Sequence, residues 1–385
     1  MRCFLGKVYY VGYYDTIDSK QEREYYLSAT NFMDYISKKL SKIRGDVELV
    51  SMSPTKGKKV VFGKKKSIGD RVRLKCFTSL GRLNSFFARL DMHLLRLQLF
   101  LYLFFHVRKD DTVVVYHSMN YARTLIKLRK CKKFKFILQV AEIYQDVGNC
   151  FSEKQKQEEY TLFQLPDGYI FSNDYLNKKL NIRRCPYSII YGIYNAKSTF
   201  SNKFEDGKIH CVYAGTLDPR KGGAQAAAAA EFLDGNYHVH ILGDGSKEDK
   251  EYLLNEIERV NKVSQSTVSY DGLMKGAEFD DFLSKCHIGL STQKSEAAFN
   301  ETSFPSKVLT YLCNGLQVVT VRLKALEGSK VAPLLNFYNQ DTPQEIARCI
   351  KKLTDLNKDN KAAIDKLDCE CEQELEKLIQ QVEVR

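Results

Sequence analysis

Residues 295–319 read SEAAFNETSFPSKVLTYLCNGLQVV, and three parts can be told apart in them. A polar loop runs to Ser303. Pro305 near its start and Gly315 past its end bracket a helix, expected over about Pro305 to Asn314, and Gln317 to Val321 follows as a buried strand. Phe304, Val308 and Leu312 recur at i, i+4 and i+8, which gives the helix one apolar stripe for a sheet. The first amides of such a helix have no partner within it, and with Ser303, Ser306 and Lys307 beside them they make a place for an anion. Glu301 stands just outside. An anion site next to a lone carboxylate suits a substrate that carries both phosphate and hydroxyls, as a nucleotide sugar does.

Working outward, the chain upstream supplies a second phosphate-facing turn. Ile209 to Ala214 reads as a strand ending in Gly215, and the loop Thr216 to Gly223 leads into an alanine-rich helix, Ala224 to Leu233. Strand, glycine-bearing loop and helix in that order turn backbone amides towards phosphate. Arg220 and Lys221 sit in the loop, where two cations can clamp a diphosphate together with Lys307; the plainer alternative is a pair of solvated loop charges. Gly243-Asp244-Gly245 has Glu248 where a dinucleotide fingerprint has its third glycine, so it reads as a tight strand-to-helix turn. Helix Lys247 to Asn261, strand Thr267 to Tyr270, helix Phe279 to Lys285 and strand Ile288 to Ser291 keep the alternation that builds a parallel sheet.

The run ETSFPSKVLTYL, followed by Gly315, Val318 and Val319, resembles the donor-site signature of retaining glycosyltransferases of the GT-B type, family 4, particularly those of bacterial surface polysaccharides. VYAGTLDPRKG at 212–222, ILGDG at 241–245, and YDG at 270–272 followed by FLSKCHIGL at 282–290 extend the resemblance in order through the second half. It implies an α/β fold of two Rossmann-like domains facing across a cleft. The activity it implies is transfer of a sugar, with retention, from a nucleotide-diphosphate sugar to a hydroxyl acceptor, without metal or further cofactor. Gly243 and Gly245 would lie near the nucleotide, Lys221 matches the family lysine, and Glu301 would hold donor-sugar hydroxyls. Two departures stand out. Thr216 follows Gly215 where family members often carry an arginine, and Leu309 stands eight residues after Glu301 where they carry a second glutamate; Thr310 beside it is the candidate for the ribose.

Composition narrows the setting. A chain of 385 residues is long for one domain and comfortable for two. Its 11 cysteines form no C-x-x-C and no Cys/His group at zinc spacing, which indicates reducing cytoplasm rather than a disulfide framework. Residues 1–20 lack the basic-then-apolar order of a signal peptide. The formal charge of +12 is concentrated between Lys38 and Lys75. That run reads first as a solvated loop and next as a surface for anionic lipid; a nucleic-acid patch would interleave aromatics or glycines in a recognisable order, and this one does not. Residues 94–107, LLRLQLFLYLFFHV, are too short to span a bilayer and carry Arg96 and Gln98. A buried helix is the favoured reading, a helix dipping into the membrane interface the alternative.

In the first half, Gly6 to Tyr14, a helix over Gln21 to Leu40 and a strand over Asp46 to Ser51 open a βαβ unit. Thr112 to Tyr116 is a β-branched run of the buried parallel kind, and His117 follows at its carboxyl end. Phe134 to Val140 likewise delivers Glu142 and Asp146. Two strands pointing one way make His117 and Glu142 candidates for shaping the acceptor side, weighed against ordinary turn residues. The other histidines, His93, His106, His210, His238, His240 and His287, read as structural. A polar linker, Gly192 to Lys208, separates an acceptor-side domain, 1–195, from a donor domain, 196–360. The resemblance sends the final helix, 361–385, back onto the first. Lipid-linked or carbohydrate acceptors both fit. A nucleotide-sugar epimerase and a non-catalytic scaffold are the competing function classes.

Overall fold

The computed structural model describes residues 6–16, 19, 23–147, 151–197, 203–296, 300, 302–356 and 360–384. The chain divides into two compact units, the first formed by 1–193 with 370–385 and the second by 194–369.

The first unit is built on eight strands: β1 Val8–Gly12, β2 Val47–Ser51, β3 Lys64–Ser67, β4 Val72–Cys76, β5 Thr112–Tyr116, β6 Lys135–Val140, β7 Gly168–Phe171 and β8 Tyr187–Ile189. Their order is β3-β4-β2-β1-β5-β6-β7-β8. Every pairing is parallel except β3 with β4. The central strands VYYVG and TVVVY are apolar throughout because helices cover both faces, so no polar side is wanted. The chain runs outward from β1 to β2 and then crosses to β5 on its other side. That reversal opens a crevice beyond the carboxyl ends of β1 and β5, next to His117.

Three expectations needed correction here. The first helix is Leu27–Arg44, so Tyr25 and Tyr26 lie ahead of it. Arg23 sets that limit: its buried guanidinium donates to the carbonyls of Ser53 and Phe77, each at 2.8 Å, and its backbone bridges to Thr55, which holds the approach extended. The basic run is not one solvated loop, since Lys64, Lys65 and Lys66 form the antiparallel edge strand β3. Lysines on an exposed edge discourage pairing with another chain. Residues 94–106 belong to a longer helix, Ser85–His106, capped by Asn84, whose side chain accepts from the amides of Phe86 and Phe87. Leu95, Leu99 and Leu103 bury one face of it. No helix among the described residues is long and apolar enough to cross a membrane.

The last helix, Lys361–Val384, carries Leu375, Leu378, Ile379 and Val382 into the core of the first unit. Polar ties fix it at both ends of that stretch. Lys39 donates to Glu372 at 3.1 Å, Arg44 pairs with Glu383, and Lys135 donates to the Glu383 carbonyl at 2.6 Å.

The second unit has six parallel strands: β9 Ile209–Ala214, β10 Tyr237–Leu242, β11 Thr267–Gly272, β12 Ile288–Ser291, β13 Gln317–Val321 and β14 Leu335–Tyr338. The order is β11-β10-β9-β12-β13-β14. Here too the direction of travel reverses, between β9 and β12, and the glycine loop after β9 opens beside that point.

Candidate functional site

The second unit gathers its candidate residues at the carboxyl end of β9. The central helix is Ser306–Cys313 with Pro305, whose side chain cannot cap, as its cap residue. Val308, Leu309 and Leu312 are buried, as the apolar spacing required, and Tyr311 reaches under the sheet to accept from the Ala214 amide at 2.8 Å. This packing turns the first turn of the helix, with Ser306 exposed at it, towards Gly215.

Lys307 is the residue this geometry singles out. Its Nζ is buried with no hydrogen-bond acceptor among the described residues, and it lies 3.8 Å above the centre of the Tyr213 ring. A Cβ added to Gly215 would stand 3.1 Å from that nitrogen, so glycine leaves the ammonium room beneath the loop. Burial first, and the charge of Lys221 second, depress its pKa from 10.5 to about 7. A cation held dry, beside another cation and without an acceptor, favours the arrival of an anion.

The loop around it is tightly determined. Gly222 has φ 87°, and a side chain there would run into the Thr292 carbonyl; Gly243 has φ 142° and abuts the Gly215 carbonyl just as closely. Arg220 is forked onto Asp218 at 2.7–3.1 Å, and that hydrogen bond foremost holds the Asp218 carboxyl below its usual range. Gly245 is exposed in the turn after β10, where the Leu217 amide donates to the Asp244 carbonyl. Thr310 donates its hydroxyl to the Ser306 carbonyl at 3.2 Å, which leaves its lone pairs for a ligand. Ser303 is half-buried ahead of the helix. Glu301 lies outside the described residues.

In the first unit, β5 and β6 bring His117 and Glu142 to the same sheet edge. His117 is 1% exposed, with Nε2 3.1 Å from Glu159 and its ring against Tyr144 and Phe163. Glu159 is buried too, accepting from the Tyr144 amide and the Gln145 side chain. Nothing along the chain marks it, because it sits mid-helix in a charged run, EKQKQEEYTL. Glu142 is half-buried next to Tyr116, whose hydroxyl is kept protonated by burial foremost and by the Glu142 charge.

Comparison with known proteins bears on the fold. No family model matches the sequence, and no curated protein matches it. Solved structures do match. One is described as trehalose-6-phosphate from E. coli bound with UDP-2-fluoro glucose: TM-score 0.69, 11% identity, 97% of this chain and 99% of that chain covered. Another is an α,α-trehalose 6-phosphate synthase from Burkholderia multivorans: TM-score 0.65, 12% identity, 98% and 95% covered. A third is a UDP-forming trehalose-phosphate synthase from Burkholderia xenovorans in complex with glucose-6-phosphate: TM-score 0.64, 11% identity, 96% of each chain covered. At such identity the likeness speaks for architecture: this chain has the α/β, two-Rossmann-domain fold of the GT-B type. The solved structures named here are trehalose-phosphate synthases, and at 11–12% identity they carry the fold and no family within it.

Proposed function

We propose that the chain is a retaining glycosyltransferase that takes a nucleotide-diphosphate sugar as donor and a hydroxyl as acceptor. The observation that carries the proposal is Lys307, a buried ammonium with no acceptor among the described residues, beneath the glycine loop after β9. When the glycosyl bond breaks, negative charge grows on the diphosphate oxygen. A cation already in place at that oxygen, helped by Lys221 and the free amides of the helix at Ser306, stabilises it by on the order of 3 kcal/mol per well-placed donor. Glu301 is assigned to the hydroxyls of the donor sugar and Thr310 to the ribose. His117 and Glu142 are assigned to the acceptor. The scheme uses no metal.

Thermal-shift measurement with UDP, GDP, ADP, CMP and their sugars, without added metal, tests the donor. One nucleoside diphosphate at about 100 times its dissociation constant should add roughly 2.7 kcal/mol to wild type and far less to Lys307→Ala. No shift with any of them would remove the reading and favour a scaffold. Reaction of a nucleotide sugar with no acceptor present would point to an epimerase. With the donor known, glucose 6-phosphate and lipid-linked acceptors are compared directly.

A specific surface favours a lipid-linked acceptor and a role in polysaccharide or glycoconjugate assembly. Helix Ser85–His106 leaves Phe86, Leu90, Leu97, Leu101 and Phe105 exposed on one side, the two phenylalanines 66% and 72% so. Arg89 and Arg108 are exposed in and just beyond it. Aromatic and aliphatic side chains flanked by arginines suit the interface of an anionic bilayer. Cosedimentation with phosphatidylglycerol vesicles should be strong for wild type and lost when Phe86, Leu97 and Phe105 become serine. Absence of binding by wild type would sink the lipid assignment while leaving the donor reading untouched.

A further inference from the structure

At the other end of the same sheet, away from the glycine loops, lie side chains that sugar transfer does not use. His210 near the start of β9 and His238 on β10 are register partners, and His240 stands two residues beyond His238 on the same face. One nitrogen from each of the three lies within 4.8 Å of the other two. From His210 to Gly215 the strand runs on the order of 16 Å, so this is a separate place from the anion site.

The hydrogen bonds determine which nitrogens face inward. His210 Nε2 lies 2.8 Å from Asp206 and His240 Nδ1 lies 3.1 Å from Asp271. Carboxylates only accept, so both outer nitrogens carry protons. The inner pair, His210 Nδ1 and His240 Nε2, face each other at 2.8 Å. Between them lies either a hydrogen, donated by one ring to the other, or a cation. Ser269 donates to Asp271 at 2.9 Å and therefore accepts from His238 Nε2–H, also at 2.9 Å, which leaves His238 Nδ1 as a lone pair. His287 is not a member: its Nδ1 accepts from the His210 amide at 3.1 Å.

His210 and His240 thus point one nitrogen at each other, a His238 nitrogen lies within 4.8 Å of both, and carboxylates or a hydroxyl stand behind all three rings. That is the arrangement which orients histidines for a metal ion and raises their basicity. The geometry points to a divalent transition-metal site, suited to Zn²⁺, formed by His210, His238 and His240 with Asp206, Ser269 and Asp271 behind them. Zn–N bonds of about 2.0–2.1 Å in tetrahedral array place nitrogens about 3.3 Å apart, so the inner pair opens by about half an ångström. His238 lies flat on His240, with centroids 4.0 Å apart, and turns its ring to become the third ligand. The metal accepts the two inner lone pairs, and the proton they shared leaves to solvent. Phe204 and Phe282 wall the site, while Asp206, 45% exposed, leaves an opening to water for a fourth ligand. Joining β9 to β10, the ion acts as a clasp on the second unit.

The full-length protein, stripped with chelator, is titrated with ZnCl₂ by calorimetry in two buffers of different protonation enthalpy. One equivalent should bind with release of about one proton, and Co²⁺ should give the absorption of a tetrahedral nitrogen site. His240→Gln should abolish binding. Asp206→Asn, at an exposed position that spares the fold, should weaken it about 10- to 100-fold. His93→Gln, on an exposed helix position, should leave it unchanged. No Zn²⁺ uptake by wild type, or uptake equal in wild type, His240→Gln and Asp206→Asn, overturns the proposal and leaves a shared proton as the occupant. The nucleotide thermal shift should persist after chelation, so failure here is distinguishable from failure of the donor reading.

Discussion

Lys307→Met keeps the length and apolar stem of the side chain and removes its charge. In the folded protein that charge has no acceptor, and its pKa falls from 10.5 to about 7. At about 1.36 kcal/mol per pH unit, holding the proton on at pH 6 costs the folded state on the order of 5 kcal/mol. The face of Tyr213 returns about 1–2 kcal/mol as a cation–π contact. The methionine variant should therefore be more stable than wild type by roughly 3 kcal/mol at pH 6 without ligand. The folded pKa lies below the unfolded one, so between about pH 7 and 10.5 the unfolded chain keeps a proton that the folded chain has released. Wild-type stability accordingly rises with pH across that window. The advantage of the variant is full below pH 7 and should be smaller by about 2–3 kcal/mol at pH 9. Ligand reverses the order: a nucleoside diphosphate stabilises wild type and not the variant, and wild-type affinity declines as pH rises above about 7, because binding must then take up a proton. Urea unfolding at pH 6 and pH 9, with and without the nucleotide, measures all of this. A variant less stable than wild type at pH 6, or an advantage unchanged at pH 9, would refute the reasoning.

Two further substitutions and a truncation probe the same framework. Gly215→Ala adds a methyl 3.1 Å from Lys307 Nζ, the end of a flexible chain that can shift; the protein should fold with nearly wild-type melting and lose about tenfold in nucleotide affinity by calorimetry. Gly243→Ala meets the Gly215 carbonyl, which is backbone, at a φ of 142°, so it should melt far earlier than Gly215→Ala; equal melting would show the β9 and β10 loops to be looser than described. Deleting residues 370–385 strips Leu375, Leu378, Ile379 and Val382 from the first unit. At roughly 1.5–3 kcal/mol each, that loss matches the stability of a whole domain, and the truncated chain should be unfolded by circular dichroism in its first unit.

The sequence was most legible where one physical requirement dominates. Strands such as TVVVY and QVVTV lie where apolar runs between turn residues put them, because burial on both faces leaves no other choice of residue. Phe304, Val308 and Leu312 are all buried for the same reason. What stayed hidden depends on partners distant in sequence. β3 is KKKS, with no apolar pattern at all, and exists because β4 offers it an edge to pair with. The first helix begins late because Arg23 is bonded to carbonyls 30 and 54 residues away. Glu159 acquires meaning only once His117 stands beside it.

The histidines carry that point furthest. His238 and His240 share a face by the two-residue period of any strand, which the spacing alone reveals. It is the parallel pairing of β10 with β9 that brings His210 alongside, and the bulge between Ile241 and Leu242 shifts the register of β11, where Asp271 serves as the outer partner of His240. Zinc signatures read along a chain presuppose ligands close together on loops, whereas here the spacing between ligands is set by the distance between strands, about 4.8 Å.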